Sequence, residues 1–138
     1  MHKAFVDGAC RPNPGRGAYG FIIYNAKGKE LKRENGSAGE NVTSNVAEYT
    51  AIIRALKAAI AMNIGQLAVF SDSQVTVRQL NGDCRVCEPR LKKLHSEALS
   101  LLEGFEKVVF VYIRRHQNIP ADSLANEFFA KTSAVGRG

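Results

Sequence analysis

The amino-acid sequence predicts an α/β fold, in which helices pack on both faces of a mixed β-sheet. Three observations support this prediction. The N-terminal third has three strand-like segments separated by turn-forming residues, the middle has a long alanine-rich helical pattern, and the C-terminal half alternates apolar strands with helical segments. The resulting order βββαβααβα is typical of a mixed sheet with helices on its faces.

Three strands are predicted at the N-terminus, arranged as an antiparallel meander. Residues 3–9 have strand composition, and the Pro- and Gly-rich run Arg11–Gly17 is predicted to be a turn or loop. Ala18–Tyr24 follows as a strand rich in Ile, Phe and Tyr. Asn25–Lys29 is predicted to turn the chain, and Glu30–Ser37 to return as a polar edge strand.

A long helix is predicted over Ala47–Met62, where apolar residues recur at helical spacing. Either Ser44 or Asn45 has the side chain of a good N-cap. Gly65 follows the helix, and Leu67–Phe70 is a continuous apolar run of the kind found in strands buried on both faces.

Three more helices and one more strand are predicted in the C-terminal half. The helices Ser73–Leu80 and Pro89–Leu102 precede a fifth strand, Val108–Ile113. Pro120 favours the start of a last helix over residues 121–131. The remaining residues, 134–138, are predicted to form a frayed tail.

Length and composition indicate one globular domain, over residues 1–133. The chain has 19 Lys and Arg against 13 Asp and Glu, and the resulting net charge of +6 favours a polyanionic partner, nucleic acid first. Apolar runs such as Leu67–Phe70 are too short to cross a bilayer, and the start Met1–Asp7 has strand rather than secretory character. We therefore predict a cytoplasmic protein without membrane association, and a monomer.

The three cysteines argue against a disulfide framework, because their number is odd. Cys84 and Cys87 form a single C-x-x-C motif after a turn, with no second pair and no histidine at zinc spacing. Two reduced thiols are the preferred interpretation.

Two aspartates follow apolar strands directly. Asp7 ends the run that begins at Ala4, and Asp72 comes shortly after Leu67–Phe70. Ligands of open α/β sheets bind beyond the carboxyl ends of the central strands. If the two strands are parallel neighbours, both aspartates reach the same edge of the sheet.

Two further acids lie on apolar helical stripes. Glu48 shares its stripe with Ile52, and Asp122 shares a face with Ala125 and Phe129. A carboxylate on a buried stripe is destabilising by several kcal/mol, as an order of magnitude, unless a cation or donors compensate it. Each acid also has a purely structural explanation, such as the helix dipole or a turn. Four acids in such positions together favour a site for Mg²⁺ or Mn²⁺, which prefer oxygen ligands.

The motifs that carry these acids resemble those of type 1 ribonuclease H. They are Asp7–Gly15, Thr43–Glu48, Ser71–Gln74 and Asn118–Asp122, in order along nearly the whole chain. The resemblance implies a five-stranded mixed sheet in the order 3-2-1-4-5. It also implies two Mg²⁺ ions, with Mn²⁺ as a substitute, at the four acids, and hydrolysis of the RNA strand of RNA–DNA hybrids to 5′-phosphate and 3′-hydroxyl ends.

The resemblance also implies residues that contact the substrate. For Gly8 and Gly15 it implies close approach of the backbone to the RNA. For Thr43 it implies binding of a phosphate of the DNA strand. Contacts with sugars or base edges in the minor groove are implied for Asn13, Ser44, Asn45 and Gln74. Turn chemistry for Asn13, and helix capping for Ser44 or Asn45, are structural alternatives. Double-stranded RNA is a second substrate that the motifs leave open.

The chain departs from the family pattern in two places. Only Leu80–Pro89 joins the second and third helices, where some members carry a long basic insertion, so Arg85, Arg90, Lys92 and Lys93 are either a partial substitute or a solvated surface. His116 precedes Asp122 in a shorter loop than in some members. A catalytic His116 would move a proton or help to release product; the alternative is an ordinary loop histidine.

Two other functions are compatible with the predicted fold. A nucleic-acid-binding module without catalysis has no reason to keep four mutually repelling acids. A 3′–5′ exonuclease of the same fold requires an acid at the position of Ala9. We therefore predict a metal-dependent ribonuclease H.

Overall fold

Five strands form one mixed sheet in the computed structural model, which describes residues 1–136. The strands are β1 His2–Arg11, β2 Gly15–Tyr24, β3 Glu30–Val42, β4 Gln66–Ser71 and β5 Lys107–Tyr112. Their order in the sheet is β3-β2-β1-β4-β5, as predicted. The first three strands are antiparallel, whereas β4 pairs parallel with both β1 and β5.

Four α-helices accompany the sheet: α1 Ser44–Ala61, α2 Gln74–Leu80, α3 Pro89–Leu101 and α4 Ile119–Gly136. Short 3₁₀ helices lie at Leu102–Gly104 and Arg115–Gln117. The helix α1 packs on β1, β2 and α3, and α4 packs on β1, β2 and β3. The two faces of β2 separate these helices, because Phe21 belongs to the core under α1 whereas Gly20 faces Ala121 and Ala125 of α4.

The helix α1 lies close to the sheet because its inward stripe is made of small side chains. Ala47, Ala51, Ala55 and Ala59 are all fully buried. They allow the helix backbone to approach β1, which brings the first turn of α1 to the end of that strand. Within the described residues, no helix is both long and apolar enough to span a membrane.

The predicted elements are confirmed in order and type, but several boundaries are wrong. The loop predicted over Arg11–Gly17 is shorter, because Arg11 and Arg16 are still paired partners of β1 and β2. The strand β3 continues past Ser37 to Val42, along the edge of β2.

The N-cap of α1 is Thr43, not Ser44 or Asn45. The Thr43 side chain accepts a hydrogen bond from the backbone N–H of Val46, and its carbonyl accepts one from Ala47. The next two residues are therefore already helical, and their side chains are not needed to cap the helix.

The last helix is longer than the predicted range 121–131. It begins at Ile119 and runs to Gly136, into the tail predicted for residues 134–138. The rest of that tail lies outside the described residues.

Candidate metal centre

Three of the four predicted acids meet at one edge of the sheet. Because β1 and β4 are parallel neighbours, with Val6 beside Ser71, Asp7 and Asp72 reach the same edge, as expected. Each of Asp7, Glu48 and Asp72 offers one carboxylate oxygen, and these oxygens all lie within 4.8 Å of one another. This spacing allows a single cation to contact all three.

Backbone and side-chain donors hold the Glu48 carboxylate against the ends of β1 and β4. The N–H of Gly8 donates to Oε2 at 2.9 Å, and the hydroxyl of Ser71 donates to Oε1 at 2.5 Å. Glu48 is only 3% exposed, which confirms that its stripe faces inward. A side chain at Gly8 would force α1 away from β1, because a Cβ atom would lie 2.3 Å from the backbone of Ala47 and Glu48.

Asp122 stands beside this triad rather than within it. It lies in the first turn of α4, accepts a hydrogen bond from the Asn126 amide at 3.2 Å, and is 3.9 Å from the Arg115 guanidinium. Asp7, Asp72 and Asp122 share the lining of an open cleft of about 610 Å³. The fourth acid therefore lines the same cleft as Asp7 and Asp72, from the first turn of α4.

Burial and mutual repulsion leave these carboxylates short of compensating charge. Burial, followed by the negative charges of Glu48 and Asp72, raises the pKa of Asp7 to about 10, and Asp122 adds to the shift. Burial also raises the pKa of Glu48 to about 8, although the hydrogen bonds from Ser71 and Gly8 oppose the change. A negatively charged site with only oxygen ligands favours hard divalent cations, so the residues fit Mg²⁺ or Mn²⁺.

The stability of the metal-free protein should therefore fall as pH rises. The folded-state pKa values of Asp7 and Glu48 lie above their ordinary values of 3.8 and 4.5, so the folded state binds more protons than the unfolded state. The stabilising contribution is complete below about pH 4, decreases progressively as pH rises above that value, and is fully lost once pH has passed the folded-state pKa values of about 8 and about 10.

Thermal unfolding in EDTA between pH 5 and pH 9.5, with and without added Mg²⁺, measures this effect. We expect Mg²⁺ to raise Tm most at the alkaline end, where protons no longer compete for the carboxylates. An EDTA profile in which Tm does not fall above pH 7, or a Mg²⁺ effect that shrinks with pH, would contradict the expectation.

Asn118 is a residue of this site that sequence reasoning did not single out. It is fully buried, and its amide donates to the carbonyl of Val6 at 2.8 Å and to Oδ2 of Asp72 at 3.2 Å. Its backbone carbonyl also accepts from the N–H of Asp122. Asn118 therefore connects the three elements that carry Asp7, Asp72 and Asp122. The sequence signal for it is its position four residues before Asp122, at the start of the Asn118–Asp122 motif.

Four of the candidate substrate residues, Asn13, Thr43, Ser44 and Asn45, lie around the N-terminus of α1. The Asn13 side chain accepts from the Ser44 N–H at 3.2 Å and donates to the Ser44 hydroxyl at 3.4 Å, which joins the β1–β2 turn to the helix. Thr43, Asn45 and Arg90 are among the residues that line a cavity of about 490 Å³. Gln74 is exposed at the start of α2.

Gly15 lies in the same β1–β2 connection as Asn13. A Cβ atom at this position would lie 2.4 Å from the Pro12 carbonyl oxygen. The tight turn thus explains the glycine on structural grounds, beside the predicted approach of RNA.

His116 is exposed in the 3₁₀ helix Arg115–Gln117. Its neighbour Arg115, not His116, is among the described residues that line the acidic cleft. His116 is adjacent in the chain to this lining residue, and its catalytic role stays a prediction.

The cysteines and basic residues of the α2–α3 connection and of the first turn of α3 are surface groups. Arg85, Lys92 and Lys93 are exposed, as are the free thiols of Cys84 and Cys87. Arg90 is exposed as well, and its guanidinium donates to the Asn41 carbonyl at 3.2 Å.

Comparison with known proteins gives consistent matches. The family model described as "Reverse transcriptase-like" matches residues 5–128. A bifunctional protein of Mycobacterium tuberculosis is 35% identical over 122 residues, which cover 88% of this chain and 34% of that protein. Ribonuclease HI of Halobacterium salinarum is 36% identical over 124 residues, 90% of this chain and 62% of that protein. The chain thus spans less than two thirds of these relatives.

One solved structure matches over nearly its full length. A crystal structure of LC11 ribonuclease H1 in complex with an RNA/DNA hybrid has a TM-score of 0.90 and 34% identity, and the match covers 96% of this chain and 99% of that one.

Proposed function

Because this chain belongs to the ribonuclease H family, we propose that it hydrolyses the RNA strand of RNA–DNA hybrids. The observation that carries the proposal is the cluster of Asp7, Glu48 and Asp72, with oxygens within 4.8 Å of one another at the carboxyl ends of two parallel strands. Asp122 completes the set from α4. The LC11 complex supports the choice of an RNA–DNA hybrid as substrate.

In this proposal the four acids hold two Mg²⁺ ions, with Mn²⁺ as a substitute. Such ions supply Lewis-acid activation of water and stabilisation of the leaving 3′-oxygen, which gives 5′-phosphate and 3′-hydroxyl products. The protein's own contribution is orientation. Gly8 and Ser71 fix both oxygens of Glu48, and Asn118 fixes Asp72. Preoriented ligands reduce the reorganisation that the reaction would otherwise require.

Recognition of the RNA strand is assigned to the surface around the start of α1. The 2′-hydroxyl distinguishes RNA from DNA, and the joined side chains of Asn13 and Ser44 offer both donors and acceptors for it. Asn45 and the exposed Gln74 at the start of α2 are proposed to make further contacts of the same kind, and Gly8 and Gly15 to keep the backbone accessible. Thr43 is proposed to bind a phosphate of the DNA strand.

A cleavage assay with four substrates tests the proposal. Labelled RNA–DNA hybrid, RNA duplex, DNA duplex and single-stranded RNA are incubated with Mg²⁺ or with EDTA. We expect the RNA strand of the hybrid to be cut in Mg²⁺ alone. The RNA duplex reports whether double-stranded RNA is a second substrate. Binding of the hybrid without cleavage in either Mg²⁺ or Mn²⁺ would instead establish a non-catalytic binding module.

Replacing His116 tests its predicted role. We expect His116→Ala to keep a near-normal first turnover and to slow steady-state turnover, because an exposed histidine six residues before Asp122 in the chain is proposed to assist release of the cleaved phosphate. A proton-transfer role would slow both phases, by roughly a hundredfold or more. Single-turnover and steady-state rates, measured on the same hybrid, separate these outcomes. Equal rates for variant and parent protein would leave His116 as part of the loop only.

A further inference from the structure

A second, basic groove continues from the acidic cleft along α4. It has a volume of about 240 Å³ and is lined by Arg11, Arg16, Asn126, Phe129 and Ala130. Arg11 and Asn126 also line the acidic cleft, so the two spaces share a wall. A chain that passes through the cleft can therefore extend into this groove.

The guanidinium of Arg11 is held in place by neutral partners. It donates to the Asn126 side-chain carbonyl, and its central carbon lies 5.2 Å from the centre of the Phe129 ring. Among the ion pairs of the described residues, Arg11 takes part in none. A guanidinium has five N–H donors, so most of the donors of an oriented positive charge remain available to an anion.

A second arginine lies directly opposite. Arg11 and Arg16 are paired partners at the end of the β1–β2 ladder, and like charges in this position destabilise a sheet. The only acid that compensates them among the described residues is Glu40, 3.7 Å from Arg16 and 76% exposed, and such surface pairs contribute little. Stability alone therefore does not favour two arginines here, whereas binding of an anion does.

We infer that Arg11 and Arg16 form a binding subsite for a phosphate of the RNA strand. This phosphate is a different one from the phosphate of the cleaved linkage. The inference rests on the proposed function. Arg11 lies four residues beyond Asp7 on the same face of β1, a distance of about 13 Å. A nucleic-acid strand rises about 3.4 Å per nucleotide along its axis, so the phosphate lies about four nucleotides from the cut.

The RNA strand is assigned rather than the DNA strand because of where the groove lies. It adjoins the cleft that takes the cleaved linkage. The cavity beside Thr43, which is proposed to take a DNA phosphate, shares no lining residue with it among the described residues. The two strands of one hybrid would thus contact opposite sides of the β1–β2 turn.

A charge-removal experiment gives the first test. Arg11→Ala is compared with Lys27→Ala, which removes the same charge from an exposed position in the β2–β3 turn. We expect Arg11→Ala to raise KM for the hybrid about tenfold, the effect of losing a charged hydrogen bond. The slope of log KM against log salt should fall by about 0.7–0.9, with kcat unchanged. Circular dichroism confirms that both variants are folded.

Single neutral phosphates give the second test. A series of hybrids is prepared, each with one uncharged methylphosphonate in place of a phosphate. The substituted position is moved stepwise along the RNA strand on both sides of the cut, and along the DNA strand in a second series. We expect one RNA position at which the substitution raises KM for the parent protein but not for Arg11→Ala. Equal behaviour of Arg11→Ala and Lys27→Ala, or coupling to a DNA position only, would overturn the inference. Cleavage of the unmodified hybrid by the parent protein is measured in the same experiment. If the parent protein cleaves this hybrid, a negative result overturns only the arginine subsite; if it does not, the proposed function itself fails.

Discussion

Asp7→Asn is expected to abolish cleavage of the RNA strand and to leave the fold intact. The substitution preserves the shape of the side chain and removes one charged oxygen ligand from the cluster. Metal-assisted charge stabilisation contributes several kcal/mol, and each 1.4 kcal/mol is tenfold in rate, so we expect a loss of about a thousandfold or more. Asp72→Asn should behave in the same way.

The fold should survive because the substitution relieves an unfavourable interaction. Asp7 is buried beside Glu48 and Asp72, and its raised pKa records the free-energy cost of ionising it there. In EDTA at alkaline pH, we expect Asp7→Asn to melt at or above the temperature of the parent protein. Addition of Mg²⁺ should raise Tm of the parent protein and leave the variant nearly unchanged.

Single-turnover cleavage and thermal unfolding measure these two effects. Asp83→Asn is the matched control, because Asp83 is an exposed acid in the turn after α2. The control should keep both activity and the response to Mg²⁺. Near-normal cleavage by Asp7→Asn, or a variant that is unfolded at neutral pH, would contradict the metal-site assignment.

Gly8→Ala is expected to reduce both stability and activity strongly. The added Cβ would lie 2.3 Å from backbone atoms of Ala47 and Glu48, and no side-chain rotation relieves a contact with backbone. The first turn of α1 must move away from β1, which breaks the hydrogen bond from Gly8 to Glu48. We expect a loss of about 3 kcal/mol, at the upper end for overpacking, and a decrease in Tm of about 10 °C.

Gly65→Ala is the control for this substitution. Its nearest new contact is the carboxylate of Glu106, the flexible end of an exposed side chain, at 2.8 Å. We expect this variant to keep its activity and most of its stability. If Gly8→Ala were as stable and as active as Gly65→Ala, close packing of α1 on β1 would not be what holds Glu48 in place.

Local patterns predicted the elements well but their ends less well. The continuous apolar run Leu67–Phe70 and the alanine-rich stripe of α1 identify a buried strand and helix, because side-chain periodicity is a local property. The extension of β1 to Arg11 and of β3 to Val42 depends on ladder partners in another strand. The N-cap at Thr43 depends on the backbone angle at which β3 enters α1.

The sequence by itself determined the order of the elements and the placement of acids at their ends. It did so because strand direction, helical spacing and turn residues are set by near neighbours. Only the tertiary structure decided which groups hold those acids. Ser71 meets Glu48 across 23 residues, and Asn118 meets the carbonyl of Val6 across 112.

The approach of α4 to the sheet was likewise decided by tertiary structure. At Gly20, the partner of Asp7 in the sheet, a Cβ atom would lie 2.7 Å from the backbone of Ala125. The glycine therefore lets α4 lie against β2, so that Asp122 reaches the cleft that Asp7 lines. The physical reason is the same in each case: these contacts join segments distant in sequence, and their energies appear only once the chain has packed.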